Sequence, residues 1–218
     1  MIPVQRQSEP PDFDRVVRQP GLRALMELIG ASGLAPRSGR PRKAIVGVTR
    51  IEDIPAASFP PYWVDCLDDL CRAYNRVCAY TAFYIHEVTG ARSVDHFIPK
   101  AMGAYQAYEW SNYRLACGLI NSRKKDYLDV LDPFLTLDNW FHLELVGFQV
   151  IPNPVLENSI KVSIQATIDR LLLNDSLFTG VRAKQYNEIM SGEVGLVYLM
   201  KYSPFLAKEM VRQGMVSP

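Results

Sequence analysis

Residues 93–100 read SVDHFIPK, residues 109–117 read EWSNYRLAC, and residues 118–126 read GLINSRKKD. An Asp-His pair such as Asp95-His96 is common and carries little information alone. Here the pair is followed in order by Asn112 and, nine residues later, by Asn121. The ordered set, together with Pro99 and the basic run over 123–125, is far more specific than any of its parts.

The sequence around these motifs predicts two strands and a helix. A run rich in β-branched and aromatic residues covers 77–88, and a second strand-like run covers 93–98, on either side of the turn signal Thr89-Gly90. This pattern predicts a β-hairpin. Residues 117–127 suit a short helix. We therefore expect His96 at the end of a strand and Asn121 on the helix that follows.

These residue types suit the hydrolysis of a phosphodiester bond. That reaction needs an activated water, neutralised charge at phosphorus and help for the departing oxygen. His96 is the candidate general base, because its ordinary pKa lies near neutrality. Asp95, on the opposite face of a regular strand, and Asn121 would bind a metal. So few protein ligands favour Mg²⁺ or Mn²⁺, and Asn112 would hold the loop and orient the His96 ring.

Two basic segments are candidate contacts for nucleic acid. One is the run after Asn121, in which positive charge can meet a phosphate backbone within about one helical turn. The other is a Pro/Gly loop over 35–44. The candidates are Lys100, Arg123, Lys124, Lys125, Arg40 and Arg42, with Arg37 and Lys43 in the same loop. The alternative for both basic segments is a solvated surface that binds no ligand. For His96 the alternative is a structural role, and for Asn121 it is the N-cap of the helix.

The ordered set DHxxPK, WSN and NSRKKD resembles the HNH endonuclease family in its Asp-His…Asn…Asn form. This resemblance implies a ββα-metal core in which one metal bridges a phosphate oxygen and the leaving 3′ oxygen. Further segments resemble a bacterial subfamily similar to the retron-associated and Septu-type nucleases, which act beside an AAA/ABC-type ATPase in anti-phage defence. Those segments are IPVQRQSEPPDFDRVVRQPG at 2–21, FPPYW at 59–63, LDPF at 131–134 and IDRLLLND at 168–175.

The chain departs from the family at the positions of a structural zinc. Many HNH proteins hold this zinc with two Cys-x-x-Cys knuckles. Here the corresponding stretches run from Cys78 to Thr81 and from Cys117 to Ile120, so half of each knuckle is missing. Two thiolates do not complete a tetrahedral site. We expect no structural zinc, with packing of Thr81 and Ile120 in its place and the two cysteines as neighbours.

The composition sets wider limits. The 218 residues carry 24 Lys and Arg against 23 Asp and Glu, a net charge of +1, so any basic surface must be local. The sequence has no long apolar run, and its four cysteines do not form a disulfide framework, which predicts a cytoplasmic protein without membrane contact. The predicted fold is α+β, with N-terminal arm and helices over 1–75, the ββα-metal core over 76–127, and a strand pair and helices over 128–218. Within these bounds we expect an extended arm to residue 20, a short helix over 22–29, a strand-rich stretch over 141–154 and helices over 158–173 and 181–190.

The expected function is a divalent-metal-dependent endonuclease, with DNA favoured as substrate and anti-phage defence as its setting. One alternative is a partner-binding subunit whose apolar segment over 194–210, VGLVYLMKYSPFLAKEM, docks an ATPase; the same segment also suits a core helix. Another alternative is a silent scaffold that binds nucleic acid without cutting it. The sequence does not separate DNA from RNA.

Overall fold

The computed structural model describes residues 1–35 and 39–217, and this part of the chain is α+β, as predicted. It forms two antiparallel two-stranded sheets and seven α-helices. The strands are β1 Arg92–His96, β2 Tyr113–Cys117, β3 Phe141–Leu143 and β4 Val150–Pro152. The helices are α1 Gln19–Leu28, α2 Leu67–Ala73, α3 Gly118–Lys124, α4 Asn158–Leu171, α5 Ser176–Met190, α6 Leu196–Tyr202 and α7 Pro204–Arg212.

Strands β1 and β2 and helix α3 form a strand–strand–helix unit in the middle of the chain. The register pairs Asp95 with Arg114 and His96 with Tyr113. A long loop over 97–112 joins the strands and contains two short 3₁₀ turns, Ala104–Tyr108 and Trp110–Asn112. Helix α3 begins directly after β2, so both motif strands and the motif helix pack against one another.

The prediction of a hairpin made from 77–88 and 93–98 is wrong for its first strand. Residues 77–88 make only one isolated bridge, between Val77 and Tyr84. Between them the chain turns back on itself: the Ala82 N–H donates to the Cys78 carbonyl at 2.9 Å, and Ala82 has a φ of 56°. This tight turn leaves too few extended residues for a strand, and β1 pairs with β2 instead.

The N-terminal residues pack against the body of the protein. The first eleven residues lack regular structure, but a helical turn begins at Asp14. The prediction of an extended arm to residue 20 is therefore wrong for residues 14–20. It leads into α1, where Pro20 lies in the first turn, a position that needs no backbone N–H donor. The predicted helix over 22–29 is confirmed. At Gly21 of α1, an added Cβ would overlap the ring of Tyr108, so this close approach requires glycine.

The C-terminal third contains the predicted strand pair and helices. The β3–β4 hairpin lies within the strand-rich stretch, and α4 and α5 cover the two helices predicted over 158–173 and 181–190. The 194–210 segment forms α6 and most of α7, and α7 buries Phe205, Leu206 and Met210. Glu209 of α7 is also buried and accepts a hydrogen bond from the Leu143 N–H at 2.8 Å, which ties α7 to β3.

One apolar core joins all three predicted segments. It runs from Met1, Leu25 and Leu70 through Leu115 to Met210. The described helices include none that is both long enough and apolar enough to cross a bilayer.

A buried ion pair anchors β2 to the chain that follows α3. Arg114 and Asp132 form two parallel hydrogen bonds, Nε to Oδ1 at 2.8 Å and Nη2 to Oδ2 at 2.7 Å. The guanidinium also lies 3.7 Å from the ring centroid of Phe134. Both side chains are almost fully buried, so each charge depends on the other for its neutralisation.

We expect Asp132→Ala to lower the free energy of unfolding by about 3–5 kcal/mol, because it leaves the Arg114 guanidinium buried without its partner. Urea denaturation of the full chain measures this. The matched control is Asp129→Ala, which breaks an exposed pair with Arg170 and should have a much smaller effect. Equal losses in the two variants would contradict the prediction.

Candidate active site

Asp95 and His96 lie at the end of β1 and, as neighbours on a strand, point to opposite sides. Asp95 points inward and is 2% exposed. His96 is partly buried and faces the loop over 97–112. The strand therefore separates the two functional groups, as the sequence predicted.

The carboxylate of Asp95 has a partner at each oxygen. Its Oδ2 accepts a hydrogen bond from the Tyr80 hydroxyl at 2.5 Å, and its Oδ1 lies 3.1 Å from the Lys124 ammonium of α3. Burial raises the pKa of Asp95, and the charge of Lys124 opposes this shift. Burial also raises the pKa of Tyr80, with a further contribution from the Asp95 charge. No pattern in the sequence indicated the contact between Tyr80 and Asp95.

The imidazole of His96 is held in one orientation. Its Nε2 lies 2.9 Å from the carbonyl oxygen of Ala107. A carbonyl only accepts, so this nitrogen carries the proton and Nδ1 keeps a lone pair. The rings of Trp63 and Tyr113 contact the imidazole edge to face, with centroids 4.7 Å and 5.3 Å away. Trp63 is a site residue that sequence reasoning missed; its place after FPPY was the only signal.

The surroundings of His96 keep it neutral. Burial lowers the pKa of His96 to about 4, although the hydrogen bond with the Ala107 carbonyl opposes the shift. The positive charges of Lys100 and Lys124 lower it further. At neutral pH the imidazole therefore offers Nδ1 as an unprotonated base.

Asn112 clamps the loop that carries the Ala107 carbonyl. Its Oδ1 accepts from the Ile98 N–H at 2.8 Å, while its Nδ2 donates to the carbonyls of Ile98 at 3.0 Å and Gln106 at 3.1 Å. Asn112, the last residue of the loop, therefore holds the backbone near the start of the loop, at Ile98, and nearer its end, at Gln106. The predicted loop-holding role fits these contacts, but no hydrogen bond joins Asn112 to the His96 ring in the described structure. Asn112 acts on the ring through the backbone next to Ala107.

Asn121 lies on α3 beside β1. Its Nδ2 donates to the Val94 carbonyl at 3.3 Å. It begins the second turn of α3 and does not act as an N-cap, since the N-cap position is Cys117. Asn121 and Lys124 are three residues apart, so they share the face of α3 that meets β1. Asp95 and Asn121, the two expected metal ligands, thus lie on neighbouring elements, β1 and α3. Between these elements it is the Lys124 ammonium that contacts the Asp95 carboxylate.

The donor set implied by the resemblance does not fit a divalent cation in this arrangement. One oxygen of Asp95 is bonded to Tyr80 and the other already faces the ammonium of Lys124. Mg²⁺ keeps several waters and needs near-octahedral space, which a carboxylate with 2% exposure does not offer. Across residues 1–35 and 39–217, no cluster of three or more His, Cys, Asp or Glu side chains is placed to bind a metal.

The three basic residues at the end of α3 have three different environments. Lys124 is fully buried, so the prediction that it contacts nucleic acid is wrong. Arg123 is turned toward the C-terminal helices, where it pairs with Asp175 at 2.5 Å and donates to the Leu171 carbonyl at 3.1 Å. The Arg123 guanidinium thus forms its contacts within the protein, which argues against the predicted contact with phosphate. Lys125 is exposed.

The other basic candidates lie near Tyr62 and Trp63. Lys100 is half-buried, and its Nζ lies 4.4 Å from the ring centroid of Trp63. Arg42 is exposed and donates to the Tyr62 hydroxyl at 3.2 Å. Arg40 is exposed in the same loop, whereas Arg37 lies outside the described residues. Lys100 and Arg42 therefore flank two adjacent aromatic residues, of which Trp63 contacts His96.

Cys78 and Cys117 are neighbours, as expected. Burial raises the pKa of the Cys78 thiol, but hydrogen bonds with Cys117 and Thr81 outweigh this and lower it to about 6. The Cys117 thiol shifts the other way, since its bond to Cys78 raises its pKa. Thr81 and Ile120 are both buried beside them. The absence of a structural zinc stays a prediction.

Asn112→Ala should free the loop and lower the free energy of unfolding by about 1–3 kcal/mol, because buried backbone groups lose their partners. It should also raise the pKa of His96 from about 4, since a looser loop admits water to the imidazole. NMR titration of the imidazole measures the shift. Asn174→Ala is the matched control: Asn174 clamps Val150 with two similar bonds, and its loss should leave the His96 titration unchanged.

No protein-family model matches the chain, and no curated protein matches it either.

Proposed function

We propose that this chain hydrolyses phosphodiester bonds of nucleic acid, with His96 as the general base. The observation that carries the proposal is the hydrogen bond between His96 Nε2 and the Ala107 carbonyl, which leaves Nδ1 as a lone-pair nitrogen. Within residues 1–35 and 39–217, no hydrogen bond occupies Nδ1. A fixed, neutral imidazole with a vacant basic nitrogen is what activation of a water molecule requires.

The order of elements supports the same function. Two antiparallel strands are followed at once by a helix, and the Asp-His pair lies at the end of the first strand. Asn112 closes the intervening loop and Asn121 lies on the helix. These placements agree with the strand–strand–helix core that the HNH resemblance implies, and they are part of the proposal.

The proposed reaction uses the residues in the following way. His96 Nδ1 takes a proton from water as the water oxygen attacks phosphorus, and the bond from phosphorus to the leaving oxygen breaks. The leaving oxygen takes a proton from solvent water, and the protonated imidazole then returns its proton to solvent. The ammonium of Lys100 neutralises charge on the phosphate, because it lies near enough to lower the pKa of His96. The dependence on Mg²⁺ or Mn²⁺ that the sequence predicts would require ligands other than Asp95. Asp95 is not available as a ligand, so no step here passes through a metal.

The substrate surface in this proposal is the strip formed by Lys100, Trp63, Tyr62 and Arg42. It pairs cationic side chains with aromatic rings, a combination that suits a nucleic-acid backbone and its bases. DNA stays the favoured substrate, and a role in anti-phage defence rests on the sequence resemblance alone.

A partner-binding role is the second candidate. Helix α6 exposes Val197, Tyr198 and Met200, and Val197 is 83% exposed. Such a group of apolar side chains on one short helix fits a docking surface for a protein such as the expected ATPase. Light scattering of the chain with and without a candidate ATPase, repeated with Val197→Ser, tests this role. An unchanged mass in the mixture would remove it.

His96→Ala should reduce cleavage by at least about 100-fold, because the base is lost. The assay compares plasmid DNA, single-stranded DNA and RNA in Mg²⁺, Mn²⁺ and EDTA. The control is His86→Ala, which removes an exposed histidine that stacks on Tyr202 outside the site and should cleave at the normal rate. Full cleavage by the His96 variant would refute the proposal.

The rate of cleavage should fall in acid with a midpoint near pH 4, because the base works only when it is unprotonated and the pKa of His96 is about 4. Lys100→Met should move this midpoint to higher pH, since the Lys100 charge is one cause of the lowered pKa. It should also raise KM through loss of the phosphate contact. Single-turnover rates across pH, with circular dichroism at each pH as a check on folding, measure both effects.

For that experiment Lys184→Met is the matched control, because Lys184 lies on α5 with its side chain largely exposed. Its acid midpoint should equal that of the unaltered chain. An acid midpoint near 6.5 in the unaltered chain, the ordinary value for histidine, would contradict the assignment of His96 in this environment.

A further inference from the structure

The end of β1 forms an oxygen cage around the side chain of Lys124. The Nζ atom lies 3.1 Å from Asp95 Oδ1, 3.3 Å from the His96 carbonyl and 3.3 Å from the Phe97 carbonyl. An ammonium has three N–H donors, and three oxygens from three consecutive residues receive them. Lys124 itself is 0% exposed.

The donors of this cage are those of a cation site. Carboxylate and carbonyl oxygens are the ligands that hard cations take in proteins. A lysine on a surface would not need three such partners, since water would serve as well. Here the lysine side chain crosses from α3 to the end of β1 and brings its charge into the buried space.

The balance of charge favours the ammonium over a divalent ion. A single positive charge neutralises the Asp95 carboxylate, whose other oxygen bonds to the uncharged Tyr80 hydroxyl. While the ammonium of Lys124 is in place, a divalent ion beside it would leave an excess positive charge without water to solvate it. Such an ion would also lack room for the waters that Mg²⁺ retains.

We infer that Lys124 is the resident cation of this site: its ammonium fills the cage of Asp95 Oδ1, His96 O and Phe97 O in the place of a metal ion. The chain therefore binds no divalent ion at Asp95, and removal of the Lys124 side chain opens a site for a small primary ammonium or for Mn²⁺. The inference does not depend on nuclease activity, because its tests measure cation binding and stability.

The first test is Mn²⁺ binding to the full chain, followed by electron paramagnetic resonance. We expect no bound Mn²⁺ at submillimolar concentration in the unaltered chain and a new site in Lys124→Ala, which Asp95→Asn added to that variant removes. If the unaltered chain binds one equivalent of Mn²⁺ and Asp95→Asn abolishes it, Asp95 is a metal ligand and the inference is wrong.

The second test is chemical rescue of stability. Lys124→Ala should lower the unfolding midpoint by roughly 10 °C, since a buried carboxylate loses its partner. Propylammonium should restore part of the loss, whereas tetramethylammonium, which has no N–H donors, should not. Lys184→Ala, at an exposed position, should lose little and respond equally to both salts. Equal effects of the two salts on Lys124→Ala would contradict the inference.

A third set of variants covers the case in which Lys124→Ala does not fold. Asp95→Asn, Lys124→Met and the double variant are compared by urea denaturation. If the ammonium neutralises Asp95, the double variant should be more stable than Lys124→Met, because no unpaired charge remains buried. Strictly additive losses would show that the two side chains do not act as a pair and would overturn the inference.

Discussion

The contact between Lys124 and the end of β1 is the constraint on which the site depends. It joins helix α3 to the strand that carries Asp95 and His96, and it does so inside the protein where neither charge can be solvated. Because the ammonium also binds the carbonyls of His96 and Phe97, it fixes the point at which the strand ends and the long loop begins. The orientation of the imidazole follows from that point, since the loop returns the Ala107 carbonyl to His96 Nε2.

Much of the fold could be predicted because local patterns agree with it. The apolar spacing over 22–29, 158–173 and 181–190 and the strand-rich stretch over 141–154 indicated the elements found there. Strand β2 could not be predicted in this way. Its sequence YRLAC contains Arg114, which is buried only because Asp132 and Phe134, about twenty residues later, pair with it. The segment 77–88 failed for the opposite reason: its residues favour strands, but a tight turn at Ala82 prevents one.

The placement of the motif residues could be predicted from their order, whereas the environments of the basic residues could not. The roles proposed for His96 and Asn112 follow from an imidazole and an amide in that order. Arg123, Lys124 and Lys125 look alike in sequence. Arg123 and Lys124 are successive residues of a helix and point about 100° apart, whereas Lys125 lies just past the end of α3 with a φ of 48°. Arg123 therefore meets the C-terminal helices, Lys124 enters the core, and Lys125 remains in solvent. Only the packing of α3 decides which is which.

The close packing of Gly21 against Tyr108 links the first helix to the imidazole. Tyr108 follows Ala107, and its hydroxyl donates to the Pro60 carbonyl at 2.9 Å, so the ring is held from both sides. Helix α1 can thus vary in sequence along its solvent face, but the spacing between Gly21 and the buried residues of the helix is constrained. One residue inserted between Gly21 and Leu25 would rotate Gly21 by about 100° relative to the buried face of α1. The ring of Tyr108, in the loop that contacts His96, would then lose its packing against Gly21.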